Sequence, residues 1–161
     1  MTLTACRRFH PGLVVLAALL TSACGGDPSS GPAPDPAGTI TSAIRINGQG
    51  ADLIDFDTGA VTIAHVSGVP ELFLDANLNF VAVVNYAPQI PRRLAAVGAV
   101  DGLGEVTAVP TAGWVTTSAA LAGHGYVLED NGKHWRFYVT SYTTAAGGGG
   151  VIGVTIKWAA L

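Results

Sequence analysis

From residue 39 onward, apolar positions recur with a period of two rather than 3.6, the spacing of strands with one buried face. Ile40, Ile44 and Ile46 keep to even positions before Asn47-Gly48 marks a turn. Residues 53–56 (LIDF) and 60–66 (AVTIAHV) flank Asp57-Thr58-Gly59 and read as a hairpin. Residues 78–86 (LNFVAVVNY) are apolar on both faces in their middle, as expected of a central strand. The clearest pairing sets 125–128 against 134–141 across residues 129–133 (EDNGK), where Asn-Gly supplies the positive φ of a tight hairpin. In the closing strand, 151–158, Ile152, Val154, Ile156 and Trp158 share one face, opposite Val151, Gly153, Thr155 and Lys157. Pro88, Pro91 and Pro110 break the stretch between, in which only 94–100 would suit a short helix. There is no heptad and no internal repeat, so the pattern predicts an all-β, mainly antiparallel, single domain.

The first 38 residues follow another pattern. Arg7 and Arg8 precede an apolar run at 13–20 (LVVLAALL), too short to span a bilayer and suited to a signal-peptide core. The run ends in Leu20-Thr21-Ser22-Ala23-Cys24, which resembles the lipobox of bacterial lipoproteins, with Thr21 where that family prefers Leu. The resemblance implies that residues 1–23 are a cleaved lipoprotein signal peptide. It also implies that Cys24 is the lipid attachment site, its palmitate-type acyl chains forming a durable membrane anchor. Gly25 after the cysteine, where Asp would favour inner-membrane retention, implies the outer membrane. Residues 25–38 (GGDPSSGPAPDPAG) hold nothing that could enter a core, so 24–38 reads as a lipidated tether and 39–161 as the folded domain.

Composition narrows the chemistry. Once residues 1–23 leave, six basic side chains face eleven acidic ones, a net charge of −5, which disfavours nucleic acid as a partner. The one remaining cysteine is the lipidated Cys24, leaving none for a disulfide, a thiol nucleophile or a cysteine-based zinc site.

Residues 126–142 (YVLEDNGKHWRFYVTSY), a glycine-rich gap and residues 154–158 (VTIKW) resemble the carboxyl-terminal signature of HmuY-like lipoproteins. Phe56-Asp57-Thr58-Gly59-Ala60-Val61, Leu74-Asp75-Ala76 and Gly113-Trp114 are similar to further elements of that family. The resemblance spans most of 53–158. It implies an all-β, hand-like fold on a lipid anchor, with non-enzymatic capture of haem, free or from a haem-carrying protein, as the family role. The family's iron ligands, His or Met on two long central hairpins, are not matched: 86–124 is shorter here, Ser118-Ala119-Ala120 lies where one ligand would fall, and Met1 is the only methionine. Neutral imidazole is a good iron ligand, which leaves His124, His65 and His134 as candidates for haem or another small apolar ligand. His124 lies between Gly123 and Gly125, which would let a flat macrocycle approach the backbone, whereas His134 alternates with Arg136 and Tyr138 on a polar face. If haem binding has been lost, the domain is expected to be a surface module for a protein or glycan partner.

Three other motifs compete. Asp57-Thr58-Gly59-Ala60 matches the active-site turn of aspartic proteases, with Asp57 as its only catalytic candidate, but Asp55 interrupts the apolar strand before it, and Asp-Thr-Gly is what a hairpin turn prefers. Asp75-Ala76-Asn77-Leu78-Asn79 starts like a calcium loop, yet Phe80 replaces the turn glycine and Tyr86 the bidentate Glu, so it reads as a strand entry. The glycines at 147–150 precede a strand, not a helix, and read as a flexible connection. Trp114, Trp135 and Trp158 are expected in the core.

Overall fold

The computed structural model describes residues 37–43, 52–63, 70–84 and 91–161. They form ten strands: β1 (Ala37–Ala43), β2 (Asp52–Asp55), β3 (Ala60–Ile63), β4 (Leu72–Leu74), β5 (Asn79–Ala82), β6 (Arg92–Ala99), β7 (Thr117–Ala119), β8 (His124–Asp130), β9 (Lys133–Thr144) and β10 (Val151–Ala160). The protein is all-β. One antiparallel sheet has the order β1-β10-β9-β8-β6 and the other β3-β2-β4-β5-β7.

The core lies between the sheets, built by the alternation of each strand. Ile54, Phe56, Leu72, Leu74 and Phe80 enter it from the second sheet, and Tyr126, Leu128, Phe137, Val139 and Ile156 from the first. Tyr126 stacks on Phe137 at 5.1 Å, and Phe80 meets both edge-on. Each such buried side chain contributes about 1.5–3 kcal/mol.

One chain segment joins the two sheets along one side. Val115 exchanges both backbone hydrogen bonds with Leu94 of β6, Ala82 N donates to Thr116 O, and β7 then pairs with β5. The connection from β6 to this segment, with a single 3-10 turn at Leu103–Glu105, crosses the outer face of the first sheet, where Arg136 Nη1 donates to Val106 O at 3.2 Å.

The hairpins expected at 53–66 and 125–141 form as β2–β3 and β8–β9, with residues 64–66 outside the described set. The latter turn needs only Asn131 (φ 49°) and Gly132 (φ 84°), both in the left-handed region. The central strand expected at 78–86 is β5, flanked by β4 and β7 and shorter than its apolar run. The closing strand runs two residues further, to Ala160, and the 147–150 glycines sit in its turn from β9.

The short helix expected at 94–100 is instead a strand. Its alanines favour a helix, but β8 on one side and Val115 on the other take up its backbone groups, while Leu94 and Ala95 are buried. Trp135 and Trp158 are in the core as expected; Trp114 is not. It lies half-buried on the outer face under the Arg93 guanidinium, 4.7 Å from the ring centroid, with Nε1 donating to Pro110 O.

Candidate functional site

The ends of β2 and β8 and the starts of β4 and β6 meet at one end of the sandwich, and the side chains there are charged. Asp55, Asp57, Glu71, Arg92, Asp130, Asn131 and Lys133 line an open cavity of about 310 Å³ there. Two turns form its rim, the β2–β3 turn carrying Asp57 and the β8–β9 turn carrying Asn131, with Lys133 opening β9 beside it. Lys133 Nζ ties them together by donating to both Asp57 carboxylate oxygens, at 2.8 and 3.0 Å, which raises the Lys133 pKa.

Beneath the rim, Arg92 bridges the sheets. Its Nε donates to Asp130 Oδ1 at 2.8 Å, and its Nη1 donates to Pro70 O and Val83 O, each at 3.1 Å. Both partners are buried, so the guanidinium and Asp130 offset each other where water cannot.

Glu71 has no such partner. It is 2% exposed, held in place by backbone hydrogen bonds from its N to Ile54 O and from Val83 N to its O. Its Oε2 accepts from Phe56 N at 2.8 Å, but among the described residues no cation lies within ion-pair reach of it. Burial pushes its pKa up to about 7; the Phe56 N–H opposes the shift, the Asp55 charge adds to it, the Arg92 charge opposes it and the Asp130 charge adds again. Asp55, at the end of β2, uses Oδ1 to accept Thr58 N at 3.0 Å, which shapes the turn. Four acids therefore face two bases, and both bases are already engaged with other acids of the set.

Below the turn lies an aromatic floor. Phe56 packs against Trp158 at 5.5 Å, Phe137 at 5.6 Å and Trp135 at 6.1 Å. The indole N–H groups of Trp135 and Trp158 are buried without an acceptor among the described residues.

The Asp-Thr-Gly turn has a structural reason that does not involve proton transfer. Gly59 has φ +71°, and a Cβ there would sit 2.9 Å from Trp158 Cζ2, so only glycine closes the turn over that ring. Asp57 is half-exposed beside Lys133 at the rim. The calcium-like stretch is a strand entry: Asp75 Oδ1 accepts Asn77 N and Asn79 N, and Oδ2 accepts Asn79 Nδ2. Among the described residues, no three His, Cys, Asp or Glu side chains are placed to hold a metal ion.

The haem-ligand candidates lie elsewhere. His124 opens β8 at the opposite end, half-buried, with its Nδ1 3.2 Å from Ala122 O. His134 stands opposite Glu129, five residues along β8 from His124, or about 17 Å at strand spacing. By alternation with the core residues Tyr126 and Trp135, the two imidazoles belong to opposite sheet faces, and His134 packs 6.5 Å from Trp114. One iron could not take both. His65 and Cys24 lie outside the described residues.

Glu71 and Arg92 escape the sequence reading because neither belongs to a motif, and Asp130 is read there only as part of the 129–133 hairpin turn. A signal exists at two of them: Glu71 is a lone acid leading the apolar triplet 72–74, and Arg92 opens a strand that turns apolar at once. Comparisons with protein-family models, with curated proteins and with solved structures each returned no match.

Proposed function

We propose that this chain is an outer-membrane-anchored lipoprotein of the HmuY-like kind, attached through acyl chains on Cys24, whose domain binds a polar ligand or surface partner without catalysis. The reading takes the branch in which haem binding has been lost. One observation carries it: the cavity among the strand ends is lined by six ionisable side chains and an asparagine, the opposite of the apolar slot that a macrocycle needs. The separation of His124 from His134 also favours it. The fold adds support, since short strands hold the lining side chains on a rigid frame while their turns supply the rim.

Titration of the full-length lipoprotein in detergent with haemin, followed in the Soret region, tests the loss of haem binding. The expected result is the spectrum of free haemin throughout. A saturable low-spin spectrum that His124→Ala abolishes would overturn the reading and restore haem capture. Metabolic labelling with a palmitate analogue tests the anchor: label on the wild-type chain and none on Cys24→Ser is expected.

A further inference from the structure

We propose that the cavity binds an organic ammonium group, the primary amine of an amino sugar or of a lysine side chain, held by the carboxylates of Glu71 and Asp55. This rests on the polar-ligand reading above and specifies its chemistry.

Arg92 is engaged by Asp130 and two carbonyls, and Lys133 by Asp57, so neither base has a full charge to offer an anion. Asp55 and Glu71 each have one oxygen tied to a backbone N–H, at Thr58 and Phe56, and no cation in reach among the described residues. Glu71 sharpens the case, because it is 2% exposed and still lines the cavity. A buried carboxylate without a cation must either take up a proton or wait for a positive ligand.

The form of the ligand follows from the spacing. No three carboxylates converge on one point among the described residues, so a bare divalent ion would lack its oxygen shell. A volume of about 310 Å³ suits a ligand of monosaccharide or amino-acid size, whose ammonium carries three donors to spread over separated carboxylates. The aromatic floor under Phe56 keeps this end of the sandwich stiff, so the carboxylates are held in place before the ligand arrives.

Where Glu71 enters as the acid, binding R–NH₃⁺ gives the carboxylate–ammonium pair and releases one proton to the buffer, so affinity rises as pH rises toward 7. The groups facing Glu71 are Asp55 from β2, Arg92 from β6 and Asp130 from β8.

The test is calorimetry on the full-length lipoprotein in detergent at pH 7 and pH 5. The probes are glucosamine and Nα-acetyl-lysine amide, beside their uncharged counterparts N-acetylglucosamine and Nα-acetyl-norleucine amide. At least one amine should bind saturably, roughly tenfold or more tightly at pH 7 than at pH 5, with proton release visible in buffers of different ionisation enthalpy. The neutral counterparts should not bind. Which amine binds distinguishes a glycan source from a peptide one. Glu71→Gln should abolish the pH dependence and most of the affinity, while Lys133→Gln, which frees the Asp57 carboxylate at the rim, should strengthen binding. No binding of either amine, equal binding of a neutral counterpart, or unchanged affinity in folded Glu71→Gln would each overturn the proposal. The haemin titration is separate, so an empty amine result beside a free-haemin spectrum rejects the ammonium and leaves the polar-ligand reading standing.

Discussion

At the end of the sandwich that carries residues 119–123, two tyrosine hydroxyls meet the loop backbone. Tyr126 Oη accepts Leu121 N and donates to Ala119 O, while Tyr142 Oη accepts Ala122 N and donates to Ala120 O. Each hydroxyl both accepts and donates. At the opposite end, Glu71 and Asp55 keep a carboxylate oxygen each in reserve, and the closing contact is an exposed ion pair between Asp57 and Lys133. Both ends have to finish the same strands, since β8 and β9 run from one to the other. The difference separates polar groups that complete a fold from polar groups that the fold leaves unfinished, and only the second kind is available to a ligand.

Substitutions at the two ends should therefore differ in sign as well as size. The largest loss is expected for Arg92→Ala, which strands the buried Asp130 charge and two carbonyls; about 3–5 kcal/mol should disappear from the unfolding free energy in urea. Glu71→Gln should act the other way. Because its native pKa lies near 7 rather than 4.5, the wild-type protein keeps the full benefit of the protonated form below pH 4.5 and loses it as pH climbs through 7. Above pH 7 the glutamine variant should be more stable by about 2–3 kcal/mol, and its stability should be flat across that window. A wild-type profile without the decline would show that Glu71 is compensated in the native protein.

Smaller effects probe the far end. Tyr126→Phe removes one hydroxyl and leaves Leu121 N and Ala119 O without it; a loss of about 1–3 kcal/mol is expected in thermal unfolding, with amine binding untouched. Lys133→Gln should change stability by less than about 1 kcal/mol, because its ion pair stands in water. A large loss there would mean that the rim holds the two turns together rather than merely bordering the cavity.

The sequence revealed those parts whose signal is local. Asn131-Gly132 between two alternating runs identifies a hairpin without help from the rest of the chain, and Asp57-Thr58-Gly59 does the same for β2–β3. Residues 94–100 were misleading because the decision there is tertiary: an alanine-rich segment becomes β6 only when β8 and Val115 arrive on either side. The cavity was illegible for a related reason. Asp55, Glu71, Arg92 and Asp130 lie far apart in sequence and come together because two strands end and two begin at one level. What is odd about Glu71 is its surroundings, not its neighbours in the chain.

The pairing of β1 with β10 bears on how the protein is made. Thr41 and Thr155 share a side-chain hydrogen bond across 114 residues, and the whole of β1 pairs with the last strand of the domain. The first strand among the described residues thus has to wait for the last. Until Ala160 has been synthesised, the first sheet lacks its β10 and β1 has no partner strand, so the growing chain stays incompletely folded. On the lipoprotein reading proposed above, such a delay keeps the polypeptide able to thread an export channel, and the order of strands along the chain supplies it.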